Sequence, residues 1–230
     1  MAKYKYLLWD IDGTILDFEA AEAAAIRTLF KKYRLGDCSN EMLRRYSKIN
    51  KKYWEALERG EMTKPEILVG RFTEFLSSEG LDNKIAASFN ADYQLALGDT
   101  IVSHDDALNL VKYLKGKYIQ PIITNGTRTA QEKKLSLSGL NQVMDYIFIS
   151  EIIGYEKPSL EFFKKVISTI GINDLSQALI IGDSLTSDIQ GGKNAGIDTC
   201  WYNFRQEENR STLNPTYTIS DLHDLLSIIR

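Results

Sequence analysis

Asp10 and Asp12 stand two residues apart in the stretch LLWDIDGTILD, directly after an apolar run and beside Gly13. Side chains at i and i+2 of an extended chain point to the same face. Both carboxylates can then reach one reacting group. Such a pair suits a reaction that needs a nucleophile and a proton carrier in one place. One carboxylate attacks; the other protonates a leaving oxygen and later activates water. The plainer alternative for this stretch alone is an Asp-Gly turn whose acids are solvated.

Two more apolar runs end in polar residues. QPIITNG closes on Thr124, Asn125 and Gly126, and QALIIGD closes on Gly182 and Asp183. A third carboxylate brought to the same volume as Asp10 and Asp12 would crowd it with negative charge, which is costly without a cation. A hard divalent ion with oxygen ligands, Mg²⁺ in particular, answers that need. Lys157 precedes Pro158, which biases it toward an extended conformation. There its ammonium can pair with a substrate phosphate and with the attacking aspartate, or it can be an ordinary exposed lysine at a helix start. Asp188 lies five residues beyond Asp183. It can orient Lys157 or a metal-bound water, or simply be an acid favoured by a helix N-terminus. Gly191, Gly192 and Gly196 form neither a Walker loop nor a G-x-G-x-x-G fingerprint. Close packing and a helix end account for them better.

The elements that must position these groups are legible from periodicity. Tyr4 to Trp9 reads as a buried strand. From about Glu19 to Leu97 the chain is helical. EAAEAAAIRTLFKKYRL is rich in strong helix formers. SNEMLRRYSKINKKYWEALERG is amphipathic, with Leu43, Tyr46, Ile49, Tyr53, Trp54 and Leu57 near helical spacing. TKPEILVGRFTEFLSSEG opens with Thr63, Pro65 and Glu66 in a capping-box pattern. A fourth helix is expected from about Asp82 to Leu97.

Strands and helices then alternate. Helices are expected over about His104 to Lys115 and through Leu137, and over SLEFFKKVISTIG with Leu160, Phe163, Val166, Ile167 and Ile170 on one face. DYIFIS, DTCWYN and TYTIS read as strands, DIQGGKNAG as a short helix and DLHDLLSIIR as a closing helix. This alternation implies an α/β fold with a parallel sheet covered on both faces. The expected organisation is a core domain of residues 1–16 and 98–230 with a helical insertion, residues 17–97. Ligands of open parallel sheets bind at the strands' carboxyl ends, so the three polar strand ends should converge.

Composition agrees with a soluble globular chain of 230 residues, 43% hydrophobic and 26% charged. With 28 basic and 31 acidic residues it carries a formal charge of −3, which argues against a nucleic-acid polymer as partner. Cys38 and Cys200 are far apart and in no metal-ligand spacing, as expected of reduced thiols. The apolar run in MAKYKYLLWD is too short for a signal peptide, and no segment reaches the ~18 apolar residues of a membrane helix. The protein is expected to be cytoplasmic. Its oligomeric state is left open.

Together these residues resemble the haloacid dehalogenase superfamily. DIDGT at Asp10 to Thr14, Thr124-Asn125-Gly126, Lys157 within EKPSLEFF, and GDSLTSD from Gly182 to Asp188 match its four motifs in order. The resemblance implies a Rossmann-like core with a helical C1-type cap inserted after the first strand. It implies an aspartyl-phosphate intermediate at Asp10, with Asp12 as general acid and base. Mg²⁺ would be held by Asp10, the main-chain carbonyl of Asp12, and Asp183. Thr124, Asn125 and Lys157 would hold the phosphoryl group. Within the superfamily Asp12 points to phosphoryl transfer, because dehalogenases expel a halide that needs no proton donor.

DFEAAE, NKKYWEALERGEMT, Arg71-Phe72, ISEIIGYEKP, GGKNAGIDTCWYN and TYTISDLHDL are further similar to bacterial pyrimidine-preferring 5′-nucleotidases. That implies hydrolysis of nucleoside monophosphates such as UMP, dUMP and dTMP. A phosphatase or mutase acting on a sugar phosphate or another small phosphomonoester is the alternative. Candidate substrate contacts in the cap are Phe18, Asn50, Trp54 and Arg71. An aromatic face there can stack on a base, and Asn50 can hydrogen-bond its edge. Packing of Trp54 between cap helices and surface pairing of Arg71 are the competing readings.

Overall fold

The computed structural model describes residues 3–229. Six strands form one sheet: β1 (Tyr6–Trp9), β2 (Pro121–Thr124), β3 (Tyr146–Ile149), β4 (Ala178–Gly182), β5 (Asp198–Tyr202) and β6 (Tyr217–Ile219). Their order is β3-β2-β1-β4-β5-β6 and every pairing is parallel. The α/β expectation is met. β1 lies at the centre, between β2 and β4, so the strand order reverses beside it. That reversal opens a crevice at the carboxyl end of β1.

Alternation along β1 explains why it is buried on both sides. Leu7 and Trp9 join one apolar cluster with Ile122, Leu179 and Ile181, while Tyr6 and Leu8 join the opposite cluster with Ile123, Ile180, Phe162 and Phe163. Helices cover both faces: α5 (Ala107–Leu114), α6 (Arg128–Ser138), α7 (Ser150–Ile153), α8 (Leu160–Ile170), α9 (Gln190–Ala195) and α10 (Leu225–Ile228), where the labels α1–α4 are kept for the segment between β1 and α5. The buried face of α8 is Phe162, Phe163 and Val166. The 3.6 periodicity favours a stripe beginning at Leu160, but Leu160, the first residue of α8, is 40% exposed.

Between β1 and α5 come α1 (Phe18–Tyr33), α2 (Asn40–Glu58), α3 (Lys64–Ser78) and α4 (Ala86–Leu97). The first three starts have a local cause. Asp17 accepts a hydrogen bond from the Ala20 amide at 2.9 Å, and Ser39 from the Met42 amide at 3.1 Å. The Thr63 amide donates to Glu66 at 2.7 Å, the back-reaching half of the capping box read from sequence. These helices share their own apolar cluster, centred on Phe30, Tyr46, Phe72, Phe75, Phe89 and Tyr93. Tyr46 stacks on Phe72 with centroids 5.1 Å apart. Truncating such a ring to alanine costs about 3–5 kcal/mol.

The helical segment leaves and rejoins the sheet through two adjacent strands of chain. The Asp17 amide donates to Val102 at 2.8 Å, and the His104 amide to Ile15 at 3.1 Å. This pairing commits His104 to an extended link. The helix expected from His104 therefore starts only at Ala107.

Gly191 and Gly192 are packing glycines, as expected. A Cβ on Gly191 would lie 2.5 Å from Phe163, and one on Gly192 would lie 2.2 Å from Thr199. Gly196, at φ +70°, ends α9. Cys38 and Cys200 are free thiols. Among the described residues, no helix is long and apolar enough to cross a membrane.

Candidate active site

β1 ends at Trp9, and Asp10 follows with its amide donating to Ile181 of β4 at 2.9 Å. Asp10 is 6% exposed. Its Oδ1 accepts from Lys157 Nζ at 2.8 Å and its Oδ2 from Thr14 Oγ1 at 3.2 Å. Lys157 is 1% exposed, and its ammonium has three acceptors for its three protons. These are Asp10, Asp188 Oδ1 at 2.6 Å and the Ile123 carbonyl at 2.9 Å. The reading of Lys157 as an ordinary exposed lysine is thereby excluded. Asp188 also accepts from the Ser184 amide at 3.1 Å, so it orients Lys157 and fixes the turn after β4.

Asn125 has a partner that the sequence did not indicate, the Lys157 main chain. Its Oδ1 accepts from the Lys157 amide at 2.8 Å, and its Nδ2 donates to the Lys157 carbonyl at 2.8 Å. The side chain clamps the Lys157 backbone with its Oδ1 and one Nδ2 proton, which leaves the second Nδ2 proton for a phosphate oxygen. Thr124 is buried at the end of β2, with its hydroxyl accepting from the Gly126 amide at 3.1 Å.

Asp183 is tied to the first strand end through Thr14, whose hydroxyl accepts from the Asp183 amide at 3.1 Å. The approach is close. Gly13 sits at φ +91°, and a Cβ there would lie 2.4 Å from Asp183 Oδ2. Only glycine meets both the left-handed backbone and that contact. One carboxylate oxygen each of Asp10, Asp183 and Asp188 lies within 4.8 Å of the other two. Burial pushes the Asp10 carboxyl up to about 7, against the pull of Lys157. Burial, with Asp10 and Asp188 adding to it, pushes Asp183 well above the carboxylate range. Burial opposes the Lys157 charge, but Asp10 and Asp188 more than offset it and raise its pKa.

The donor set is oxygen only, rich in charge and short of cation. It fits a hard divalent ion such as Mg²⁺. Asp10 and Asp188 each have both oxygens engaged by donors, whereas the Asp183 carboxylate meets only the Thr14 hydroxyl, at 3.5 Å, and has the most capacity to spare.

Asp12 faces elsewhere. The strand stops at Trp9, so the same-face rule for i and i+2 does not reach Asp12. Its carboxylate accepts from Gln131 Nε2 at 2.5 Å and pairs with the Lys134 ammonium. Both partners come from the buried face of α6. Sequence reasoning missed them. The available signal was two polar residues at i and i+3, in phase with apolar Ala130 and Leu135, on the helix that follows Thr124-Asn125-Gly126. It also missed Thr14 and Glu58. Glu58, at the end of α2, accepts from Thr186 Oγ1 at 2.5 Å, and burial pushes its carboxyl up to about 7.

A cavity of about 30 Å³ separates Asp12 and Gln131 from α1–α4, and Phe18, Trp54, Gln94 and Arg71 form part of its wall. Three of the four proposed cap contacts thus meet at one cavity with Asp12. Asn50 does not line it. Its Nδ2 donates to Glu22 at 2.8 Å and its Oδ1 accepts from Arg71 at 2.6 Å, so its amide is committed inside the helical segment. Arg71 is 1% exposed, which rules out a surface pair.

The chain matches the model of the haloacid dehalogenase-like hydrolases over residues 7–202. It is 39% identical to the HAD-hydrolase YfnB of Bacillus subtilis over 229 residues, covering 100% of this chain and 97% of that protein. It is 36% identical to the pyrimidine 5′-nucleotidase PynA of Streptococcus pneumoniae, covering 98% of this chain and 95% of PynA. With the pyrimidine 5′-nucleotidase YjjG of Escherichia coli the identity is 29%, over 99% of this chain and 98% of YjjG. A crystal structure of YfnB bound to magnesium superimposes with a TM-score of 0.91, at 38% identity and 99% coverage of both chains. Sequence, sheet order and motif-bearing strand ends agree, and the chain belongs to the haloacid dehalogenase-like hydrolase family.

Proposed function

We propose that this hydrolase is a Mg²⁺-dependent phosphomonoesterase, and that it acts on pyrimidine nucleoside 5′-monophosphates such as UMP, dUMP and dTMP. The observation that carries the reading is Asp10 with its three polar neighbours: Lys157 at 2.8 Å, Thr14 at 3.2 Å, and Asp183 in the same carboxylate cluster. Similarity to PynA and YjjG over nearly the whole chain supports the nucleotide class.

Asp10 attacks phosphorus and forms an aspartyl-phosphate. The phosphorus–ester oxygen bond breaks, and Asp12 donates a proton to the leaving oxygen. Asp12 then takes a proton from water, which attacks phosphorus and frees Asp10. Lys157 balances charge on Asp10 and the transferring oxygens, and Asn125 holds the Lys157 backbone in place. The Thr124 hydroxyl and the adjoining main chain bind the phosphoryl oxygens. Asp10, Asp183 and the main-chain carbonyl of Asp12 would hold Mg²⁺, which supplies positive charge to the phosphoryl group when bound.

Residues 17–97 act as a cap over this site. The cavity beside Asp12, at about 30 Å³, is far smaller than a nucleoside. Substrate entry therefore requires the helical segment to move from the core, in keeping with the interdomain movement described for YfnB.

A phosphate-release screen tests the reading. Release from UMP, dUMP and dTMP should exceed that from purine nucleotides and sugar phosphates, and EDTA should abolish it. Preferred release from a sugar phosphate, or transfer to a second hydroxyl in place of water, would overturn the nucleotidase assignment.

A further inference from the structure

Arg71 is a cation buried among aromatic rings. Its guanidinium carbon lies 4.9 Å from the ring centre of Phe72, 5.1 Å from Tyr93 and 5.9 Å from Trp54. One terminal nitrogen donates to Asn50 at 2.6 Å and the other to Asn90 at 3.3 Å. Among the described residues both of its hydrogen-bond partners are side-chain amides and neither is a carboxylate, and its buried Nε has no hydrogen-bond partner. Fully buried arginines without an ionic partner are rare, and an unmade bond to a charged donor is costly. Glu22 joins the network only through Asn50.

A second unmet group lies across the same cavity. Gln131 donates through Nε2 to Asp12, but its buried Oε1 has no donor. The cavity thus has an unused donor on a residue of the helical side and an unused acceptor on a residue of the core side. Phe18 and Trp54 supply flat apolar wall between them. The complement is a planar ligand with an acceptor at its far end and a hydroxyl or N–H nearer the ester.

We propose that Arg71 is a specificity-determining residue that donates through its guanidinium to a carbonyl oxygen of the substrate base. This assignment rests on the nucleotidase reading and deepens it. Guanidinium is donor-only. It favours ring carbonyls over amino groups, so bases with keto oxygens fit and amino-substituted positions do not. Asn50 is then a positioning residue, because it holds Arg71 rather than the base.

The test compares dTMP with the nucleotide of difluorotoluene, an isostere of thymine that lacks both carbonyls. The wild-type enzyme should favour dTMP in kcat/KM by roughly 10–100-fold, the range for a hydrogen bond to a charged group. In Arg71→Met that ratio should fall to near one, with folding checked by thermal melting. A wild-type ratio near one, or a ratio that Arg71→Met leaves intact, would overturn the proposal. Should Arg71→Met fail to fold, Arg71→Lys replaces it: a dTMP preference that this variant leaves at the wild-type value would overturn the proposal, and a reduced one would support it. Absence of phosphate release from dTMP would overturn the nucleotidase reading instead, a separate and visible result.

Discussion

The ammonium of Lys134 pairs with the carboxylate of Asp12, across 122 residues of sequence, at the wall of the cavity that faces the helical segment. Lys134 is 1% exposed and its side chain also lies 5.3 Å from the Phe18 ring centre. A lysine so enclosed depends on its carboxylate. Asp12→Asn should slow turnover by roughly 10²–10⁴-fold, the contribution of a positioned acid and base. It should also destabilise the fold by about 3 kcal/mol, because it strands a buried ammonium. Adding Lys134→Met to Asp12→Asn should recover stability without recovering turnover. Thermal melting of the two variants decides this, and a double variant no more stable than Asp12→Asn would refute the dependence.

Gly13→Ala separates geometry from charge. The substitution leaves every carboxylate in place, but its Cβ would lie 2.4 Å from Asp183 Oδ2 on a backbone at φ +91°. The left-handed conformation costs roughly 1–2 kcal/mol with a side chain. Asp183 must move as well. Weakening of Mg²⁺ affinity by at least about tenfold is expected, with loss of turnover to match. Calorimetric titration with Mg²⁺ checks it; an unchanged affinity would show that Asp183 has room to yield.

Much of this site could be read from sequence, and the misses share a cause. Asp10, Thr124 and Asp183 were legible because each closes a run whose hydrophobic pattern marks a strand, and Lys157 because Pro158 follows it just before a helix. The capping box at Thr63 and the packing role of Gly191 and Gly192 were local enough to read in the same way. What could not be read was the direction of side chains once the strand had ended. Asp12 turns to α6, and Asn125 turns to the Lys157 backbone. Gln131 and Lys134 sit at core positions of a helix whose partner is an acid from the other end of the chain. Periodicity gives the face a residue occupies, and long-range contacts decide what that face meets.

Metal affinity should rise with pH. Burial raises the carboxyls of Asp10, to about 7, and of Asp183. At pH 6 the ion must displace a proton from Asp10 that is largely gone at pH 8. Each proton displaced weakens binding by up to about tenfold per pH unit below the carboxyl pKa. The metal-free fold shows the reverse trend, since a raised Asp10 pKa means its contribution to stability is lost as pH rises through about 7. Titrations at pH 6, 7 and 8, in buffers of different ionisation enthalpy, measure affinity and proton release together. A pH-independent affinity without proton release would contradict the cluster electrostatics.

Glu22 provides a stability test away from the chemistry. It is buried in α1, accepts from Asn50 at 2.8 Å, and also accepts from the Ser47 hydroxyl. Burial pushes its carboxyl from an ordinary 4.5 up to about 7, although Ser47, Arg71 and Asn50 all favour the charged form. The folded state therefore holds a proton that the unfolded chain releases. Its contribution to stability is complete below about 4.5 and is lost as pH rises through about 7. That interval corresponds to about 3 kcal/mol. Glu22→Gln keeps an acceptor for Asn50 and can donate to Ser47, yet cannot ionise. Asp10 and Glu58 also titrate upward in the wild type, so the variant will not be pH-independent. The difference between the two curves isolates Glu22: it should be constant below about pH 4.5 and then move in favour of Glu22→Gln, levelling off about 3 kcal/mol higher above pH 7. Denaturant unfolding across that range measures the difference. A gap that stays constant with pH would mean Glu22 titrates as an ordinary carboxylate, and the buried Glu22–Asn50–Arg71 chain would then be fully charged in the folded protein.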